Sequence, residues 1–206
     1  MAEGNLLWTI ESEYSAQGYR SICGVDEAGA GPLAGPVFAA AVILPFGLTI
    51  PGLNDSKKLT AKHREALFHM IKEKALAWGV ATAGEAEIDR YNILNARMLA
   101  MDRAIRALSP SADLALVDGN RTQGIGASPA VCVVGGDGKS PQIAAASILA
   151  KVSRDLYMVE LAAVYPEYRF DKHKGYPTKL HYELLRKYGP CPAHRKTFLH
   201  DTYPNE

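Results

Sequence analysis

The chain has 206 residues, 48% of them hydrophobic and 22% charged, and a formal net charge of +1. These values suit one compact domain with a full core and exclude a disordered or collagen-like chain. They also exclude a polyanion binder that works through a global positive field.

The charge is uneven, however. From Lys151 onward there are ten Lys/Arg against seven Asp/Glu, with four of the six His, so any polyanion contact is expected at local basic patches. Cys23, Cys132 and Cys191 have no paired spacing, which argues against a disulfide framework or a zinc knuckle. Residues 1–18 lack the basic start and apolar run of a secretory signal, and no stretch reaches the roughly 18 apolar residues of a membrane span. The expectation is a cytoplasmic monomer without membrane association.

Short apolar runs alternate with longer helical ones, the pattern of an α/β domain. Arg20–Val25 reads as a strand ending at Asp26, and Pro36–Leu44 as a second strand closed by Pro45. Thr60 is placed to cap a helix running to about Lys74, with Leu67 and Ile71 on one face. Ala75–Ala83 reads as a third strand. Asn92 is placed to cap a helix over Ile93–Leu108, which Ser109-Pro110 stops. Leu114–Val117 is a short strand ending at Asp118, and Val131–Val134 another ending near Asp137. Ser140-Pro141 sets a capping hydroxyl before a proline in the first helical turn. The helix beyond it carries Ala145, Leu149, Val152, Leu156 and Val159 at helical spacing. A last helix, Thr178–Lys187, ends before Gly189-Pro190. From Tyr165 the chain is richer in Pro, His and basic residues and reads as an extension to the core.

Three apolar runs each lead into a carboxylate: Asp26 and Glu27, Asp118, and Asp137. Ligand sites in α/β sheets gather at strand ends. Acids brought together there repel, and a divalent cation relieves the repulsion. Oxygen-only ligands suit magnesium or manganese better than zinc. A single acid after a strand is ordinarily a turn residue; three such ends lower the odds of that reading. Neighbours in a strand face opposite ways, so Asp26 and Glu27 share a site only if the chain bends there. The segment from Asp26 to Gly35 holds three glycines and fits a tight loop that brings backbone close to a ligand. It is not a dinucleotide fingerprint, because a strand follows it where a helix is required. Asn54-Asp55-Ser56-Lys57-Lys58 before a helix, and Lys172-His173-Lys174-Gly175-Tyr176-Pro177, are most simply solvated surface. The first could also seat a phosphate, and the tyrosine of the second could stack on a sugar or base.

Six motifs in series, covering roughly residues 20 to 200, resemble those of ribonuclease HII, the bacterial type-2 ribonuclease H. They are Gly24-Val-Asp-Glu-Ala-Gly29, Gly31-Pro-Leu-Ala-Gly35, Leu53-Asn-Asp-Ser-Lys-Lys-Leu59, Val117-Asp-Gly-Asn120, Ala144-Ala-Ala-Ser-Ile-Leu-Ala-Lys-Val152 with Arg154-Asp155, and His173-Lys-Gly-Tyr-Pro-Thr178. The resemblance implies one ribonuclease H-like domain over residues 1–206, with a mixed five-stranded sheet flanked by helices. Its core would span about residues 20–164 and its helical C-terminal extension about 165–206.

The resemblance also implies endonucleolytic cleavage of RNA in RNA–DNA hybrids and cutting 5′ of ribonucleotides embedded in duplex DNA. The products would carry a 3′-hydroxyl and a 5′-phosphate, and the role would be removal of misincorporated ribonucleotides and RNA primers. The family's four catalytic, metal-binding carboxylates map onto Asp26, Glu27, Asp118 and Asp137, with Mg2+ or Mn2+ as the ion. The flanks of Asp137 depart from the family pattern, and Asp155 on the long helix is the fallback acid. Substrate contacts map onto Gly29, Ala30, Gly31, Ser56, Lys57, Ser147, Lys174 and Tyr176, with Tyr176 stacking on the junction sugar and Ser147 at the DNA strand. Ala30 stands where the family has arginine. That puts affinity or junction preference in question, since a charge-assisted contact is worth roughly 1.5–3 kcal/mol. An inactive hybrid-binding protein, or a DNA nuclease or integrase-like enzyme on the same fold, are the competing readings.

Overall fold

The computed structural model describes residues 8–53 and 59–199. The helices are α1 (Thr9–Ala16), α2 (Ala61–Lys74), α3 (Glu85–Arg106), α4 (Pro141–Val164), α5 (Phe170–His173) and α6 (Lys179–Tyr188). The strands are β1 (Ile22–Ala28), β2 (Val37–Ile43), β3 (Ala77–Ala83), β4 (Leu114–Asp118) and β5 (Ala130–Val133). They form a five-stranded sheet in the order β3-β2-β1-β4-β5. β1, β2 and β3 pair antiparallel; β4 is parallel to both β1 and β5. The sheet is mixed and flanked by helices, as expected from the resemblance.

Alternation along the strands divides the core in two. Cys23 and Val25 of β1, with Val37, Ala39 and Ala41 of β2, pack under α3. The residues between them, Ala40 and Val42, face α2 and the alanine-rich first half of α4. α4 crosses β1 very closely. A Cβ at Gly24 would stand 2.1 Å from the Gln142 carbonyl carbon, so only glycine fits beneath the first turn of α4. Ser140 caps that turn, accepting from Ile143 N–H, while its own hydroxyl donates to the buried Glu11 of α1.

Several boundaries differ from the sequence reading. β1 continues through Asp26 and Glu27 to Ala28, because β2 pairs with it over that whole length. α3 begins at Glu85, seven residues before Asn92. Asn92 lies at φ 63°, and its side chain accepts from Asn95 N–H, so it caps the second half of a kinked helix as its sequence suggests. α1 has no counterpart in the sequence reading; its one buried residue is the acid Glu11. In α4, Leu156 and Val159 are 52% and 48% exposed, whereas the buried stripe after Val152 runs Arg154, Met158 and Leu161. A third apolar cluster joins Met158 and Leu161 to Tyr168, Phe170 and Leu185, and so attaches the C-terminal segment to α4 and the Gly-rich loop.

Gly24→Ala is expected to destabilise the protein by roughly 1–3 kcal/mol or more, since the methyl group meets helix backbone and not a yielding side chain. An unchanged urea midpoint would show that α4 does not press on β1 as described.

Candidate active site

The parallel register pairs Gly24 with Leu116 and Val25 with Val117. One step further, Asp26 and Asp118 come side by side on the face that packs on α4, at a strand spacing of about 4.8 Å. Asp26 is 5% exposed. Its Oδ1 accepts from Glu27 N–H at 2.7 Å, and the Ser147 hydroxyl of α4 hydrogen-bonds its carboxylate. Asp118 Oδ1 accepts from Gly136 N–H at 2.7 Å. That bond brings in the one-turn helix Gly136–Gly138, which carries Asp137 at 8% exposure. Glu27 follows the strand alternation, and its carboxylate pairs with Arg97 of α3. The chain does not bend to bring Glu27 onto the Asp26 face.

Burial raises the Asp26 carboxyl well above its ordinary range, and the charges of Glu27 and Asp118 raise it further. Two unit charges about 5 Å apart repel by about 3 kcal/mol at an effective dielectric near 20. A hydrogen bond to a charged group returns roughly 1.5–3 kcal/mol, so the amide of Glu27 and the hydroxyl of Ser147 offset the cost only in part. Among the described residues no three His, Cys, Asp or Glu side chains already converge as a metal cage. The donor set nonetheless fits a hard divalent ion: the adjacent donors are all oxygens, and a cation between Asp26 and Asp118 would remove the repulsion that burdens Asp26.

Beside this cleft the Gly-rich loop is held from beneath by two fully buried arginines. Arg195 donates to three loop carbonyls: Nη2 to Gly29 at 2.7 Å, Nη1 to Ala30 at 3.0 Å and Nε to Gly35 at 2.8 Å. Arg154 donates to Ala34 and Pro36. Gly29 sits at φ 93°, and a Cβ there would stand 2.0 Å from Arg154 Nε. Burial lowers both guanidinium pKa values, that of Arg195 to about 9. Sequence reading gave neither arginine a role. The stripe Arg154, Met158, Leu161 was the available signal for the first, a cation at i, i+4, i+7 spacing with buried apolar residues. Arg195 carried none.

The expected substrate contacts fall into three groups. Ser56 and Lys57 lie outside the described residues. Gly29, Ala30, Gly31 and Tyr176 meet at the loop: Gly175 O accepts from Leu33 N–H at 2.8 Å, and the half-exposed Tyr176 ring lies 5.5 Å from the Arg154 guanidinium and 5.6 Å from Lys151 Nζ. Ser147 and Lys174 point elsewhere than expected. Ser147 is buried against Asp26, and Lys174 Nζ donates to Asp171 O at 2.6 Å. Asp155, the fallback acid, pairs with Lys151.

A family model described as Ribonuclease HII matches residues 23–201. The chain belongs to the ribonuclease HII family. The ribonuclease HII of Caldicellulosiruptor bescii is 52% identical over 199 residues, covering 97% of this chain and 96% of that protein. That of Dechloromonas aromatica is 58% identical over 177 residues, covering 86% and 90%. The crystal structure of ribonuclease H2 from Pyrococcus horikoshii OT3 superposes with a TM-score of 0.69 at 26% identity, covering 86% of this chain and 93% of that one. The fold extends to Bst-RNase HIII in complex with Mn2+, with a TM-score of 0.61 at 17% identity over 82% and 63% of the two chains. With ribonuclease HII membership comes ribonuclease H activity, endonucleolytic cleavage of an RNA strand by a divalent-metal-dependent enzyme. No helix among the described residues is long and apolar enough to cross a membrane.

In this ribonuclease HII chain the segment behind Tyr176 buries three histidines, His173, His181 and His194. Burial lowers all three pKa values, those of His181 and His194 from 6.5 to about 4. In the unfolded chain His181 and His194 bind protons below about 6.5; in the folded chain they do not until about 4. Stability from them is therefore complete above pH 6.5 and is lost as pH falls toward 4. Asp26, with its raised carboxyl, acts in the opposite sense. The urea midpoint is expected to fall between pH 7 and pH 4.5, and to fall less steeply in His194→Gln. A midpoint that is flat or rises over this range would contradict the burial of neutral histidines.

Proposed function

We propose that this protein hydrolyses the RNA strand of RNA–DNA hybrids and cuts 5′ of single ribonucleotides in duplex DNA, leaving a 3′-hydroxyl and a 5′-phosphate. The observation that carries the reading is the closeness of Asp26, within β1, to Asp118, at the end of the parallel neighbour β4, in a ribonuclease HII chain. Asp26, Glu27, Asp118 and Asp137 would hold two divalent ions, Mg2+ or Mn2+. When bound, the ions supply a water of lowered pKa and neutralise charge on the scissile phosphate and the leaving 3′-oxygen.

The chain's own residues divide the remaining work. Asp26 and Asp118 offer the cleft its adjacent carboxylate oxygens. Ser147 and the Glu27 amide fix the orientation of Asp26, and the Gly136 amide fixes that of Asp118. Arg97 holds the Glu27 carboxylate on the α3 side, so ligation by that side chain requires it to leave Arg97. Asp137 joins from the turn that grips Asp118. Arg195 and Arg154 turn the loop carbonyls inward, which leaves loop backbone available to a 2′-hydroxyl, the group by which a protein tells RNA from DNA. Tyr176 offers an aromatic face to the junction sugar, beside the Lys151 ammonium, a cation suited to phosphate. Ala30 keeps the backbone groups of the loop without the guanidinium the family usually has there. The partners are the hybrid itself and DNA duplex containing ribonucleotides, met in the cytoplasm.

Asp118→Asn keeps an acceptor for Gly136 N–H while removing the charge. Cleavage of a labelled duplex with one ribonucleotide, in Mg2+ and in Mn2+, is expected to fall at least about a hundredfold, since even an outer partner of a metal ligand is worth 10–100-fold. Folding and most hybrid binding are expected to persist. Near-wild-type cleavage would refute the metal-site assignment, and equal cutting of an all-DNA duplex would favour a DNA nuclease.

A further inference from the structure

Every ring nitrogen of the three buried histidines has a partner, and the fixed roles of backbone groups settle where the protons lie. Gly175 N–H donates to His173 Nδ1 at 3.2 Å, so the His173 proton is on Nε2, which donates to Tyr168 O at 2.7 Å. Cys191 N–H at 3.0 Å and the Cys191 thiol at 3.2 Å both donate to His194 Nδ1, closer than Cys191 O at 3.3 Å, so the proton of His194 is on Nε2. Tyr176 O, 3.0 Å from His181 Nδ1, can only accept, so the proton of His181 is on Nδ1. His194 Nε2 lies 3.0 Å from His181 Nε2, and the two assignments make it a donor facing an acceptor. The lone pairs a soft metal would use are therefore all engaged, and the cluster is not a metal site.

The result is a one-directional chain of hydrogen bonds: Cys191 N–H to His194, His194 to His181, His181 to the Tyr176 carbonyl. The other end of the same residue is held too, since Tyr176 N–H donates to His173 O at 2.9 Å. His173 stacks on His181 at 4.1 Å between ring centroids, so the rings brace one another. Gly175, immediately before, lies against Ala34 of the Gly-rich loop, where a Cβ would stand 2.5 Å from Ala34 O.

We propose that His181 and His194 are positioning residues for Tyr176: their hydrogen-bonded relay fixes its backbone so that the ring stands at the Gly-rich loop, and thereby sets recognition of the RNA–DNA junction. This rests on the junction-reading role proposed above for Tyr176. Neutral rings are required, because a second proton on His181 would set its Nε2–H against that of His194, and one on His194 would set its Nδ1–H against Cys191 N–H, each across 3.0 Å. Burial keeps both rings neutral near pH 7.

The test is a double-mutant cycle read as kcat/KM on a duplex with one ribonucleotide. His181→Leu is expected to lower kcat/KM about tenfold, the upper scale of one lost hydrogen bond. His181→Asn, whose amide can replace Nδ1–H, is expected to recover most of that loss. In a Tyr176→Ala background His181→Leu is expected to add less than about twofold. If His181→Leu fails to fold, His194→Gln, which keeps a donor near the Nε2 position, is compared with His194→Leu in both backgrounds. Equal losses with and without the tyrosine, no recovery by the conservative variant, or a Tyr176→Ala protein that cleaves like wild type would each overturn the proposal. A wild type that cuts no ribonucleotide-containing duplex would defeat the enzymatic reading itself; a wild type that cuts while His181→Leu matches it would defeat the relay alone.

Discussion

A buried carboxylate, Asp26, held by a β-sheet register beside the part-buried Asp118 is the constraint around which this protein is built. Asp26 and Asp118 cannot move apart without breaking the pairing of β1 and β4, which lies at the centre of the sheet. Nor can Asp26 retreat into water, because α4 covers it, and α4 lies so close only because position 24 has no side chain. Hydrogen bonds from Ser147 and two amides orient the pair without cancelling its repulsion. A site of this kind is preorganised for a divalent cation, since the cost of gathering the charges is met by folding.

The second half of the site uses the opposite charge in the same way. Arg154 and Arg195 are buried beneath the Gly-rich loop, and their hydrogen bonds go to carbonyl oxygens of that loop. A guanidinium spreads several donors over a rigid plane and so can fix several backbone groups at once. Arg195 comes from the C-terminal segment and Arg154 from α4, so the loop's shape depends on both meeting there. The histidine cluster ties Tyr176 to the same segment. The C-terminal segment therefore supports the Gly-rich loop and Tyr176 beside the cleft, while the sheet supports the carboxylates.

The sequence revealed most of the carboxylate side. Apolar runs ending in acids marked β1, β4 and the turn after β5, and Ser140-Pro141 marked the start of α4, because strand ends and helix caps are written in local residue types. What it hid was set by tertiary contact. β1 passes through Asp26 to Ala28 because β2 pairs that far, and this turns Glu27 toward Arg97. Ser147 resembled a substrate contact by motif, yet burial turns it to Asp26. α1 was missed because its buried residue is an acid matched to Ser140 across more than a hundred residues. Arg195 and the relay of His181 and His194 depend on partners distant in sequence or on proton placement, and no local pattern records either. Leu156 and Val159 misled in the other direction: they hold helical spacing, but beyond Val152 the buried stripe of α4 shifts to Arg154, Met158 and Leu161, so solvent meets them.

The central claim is that Asp26, burdened by burial and by neighbouring negative charge, is relieved by a divalent ion. Calorimetric titration of the protein with Mn2+, beside Asp26→Asn, tests it most directly. The wild type is expected to bind the ion and the variant to bind it at least about tenfold more weakly. Wild type and variant with the same affinity would contradict the account.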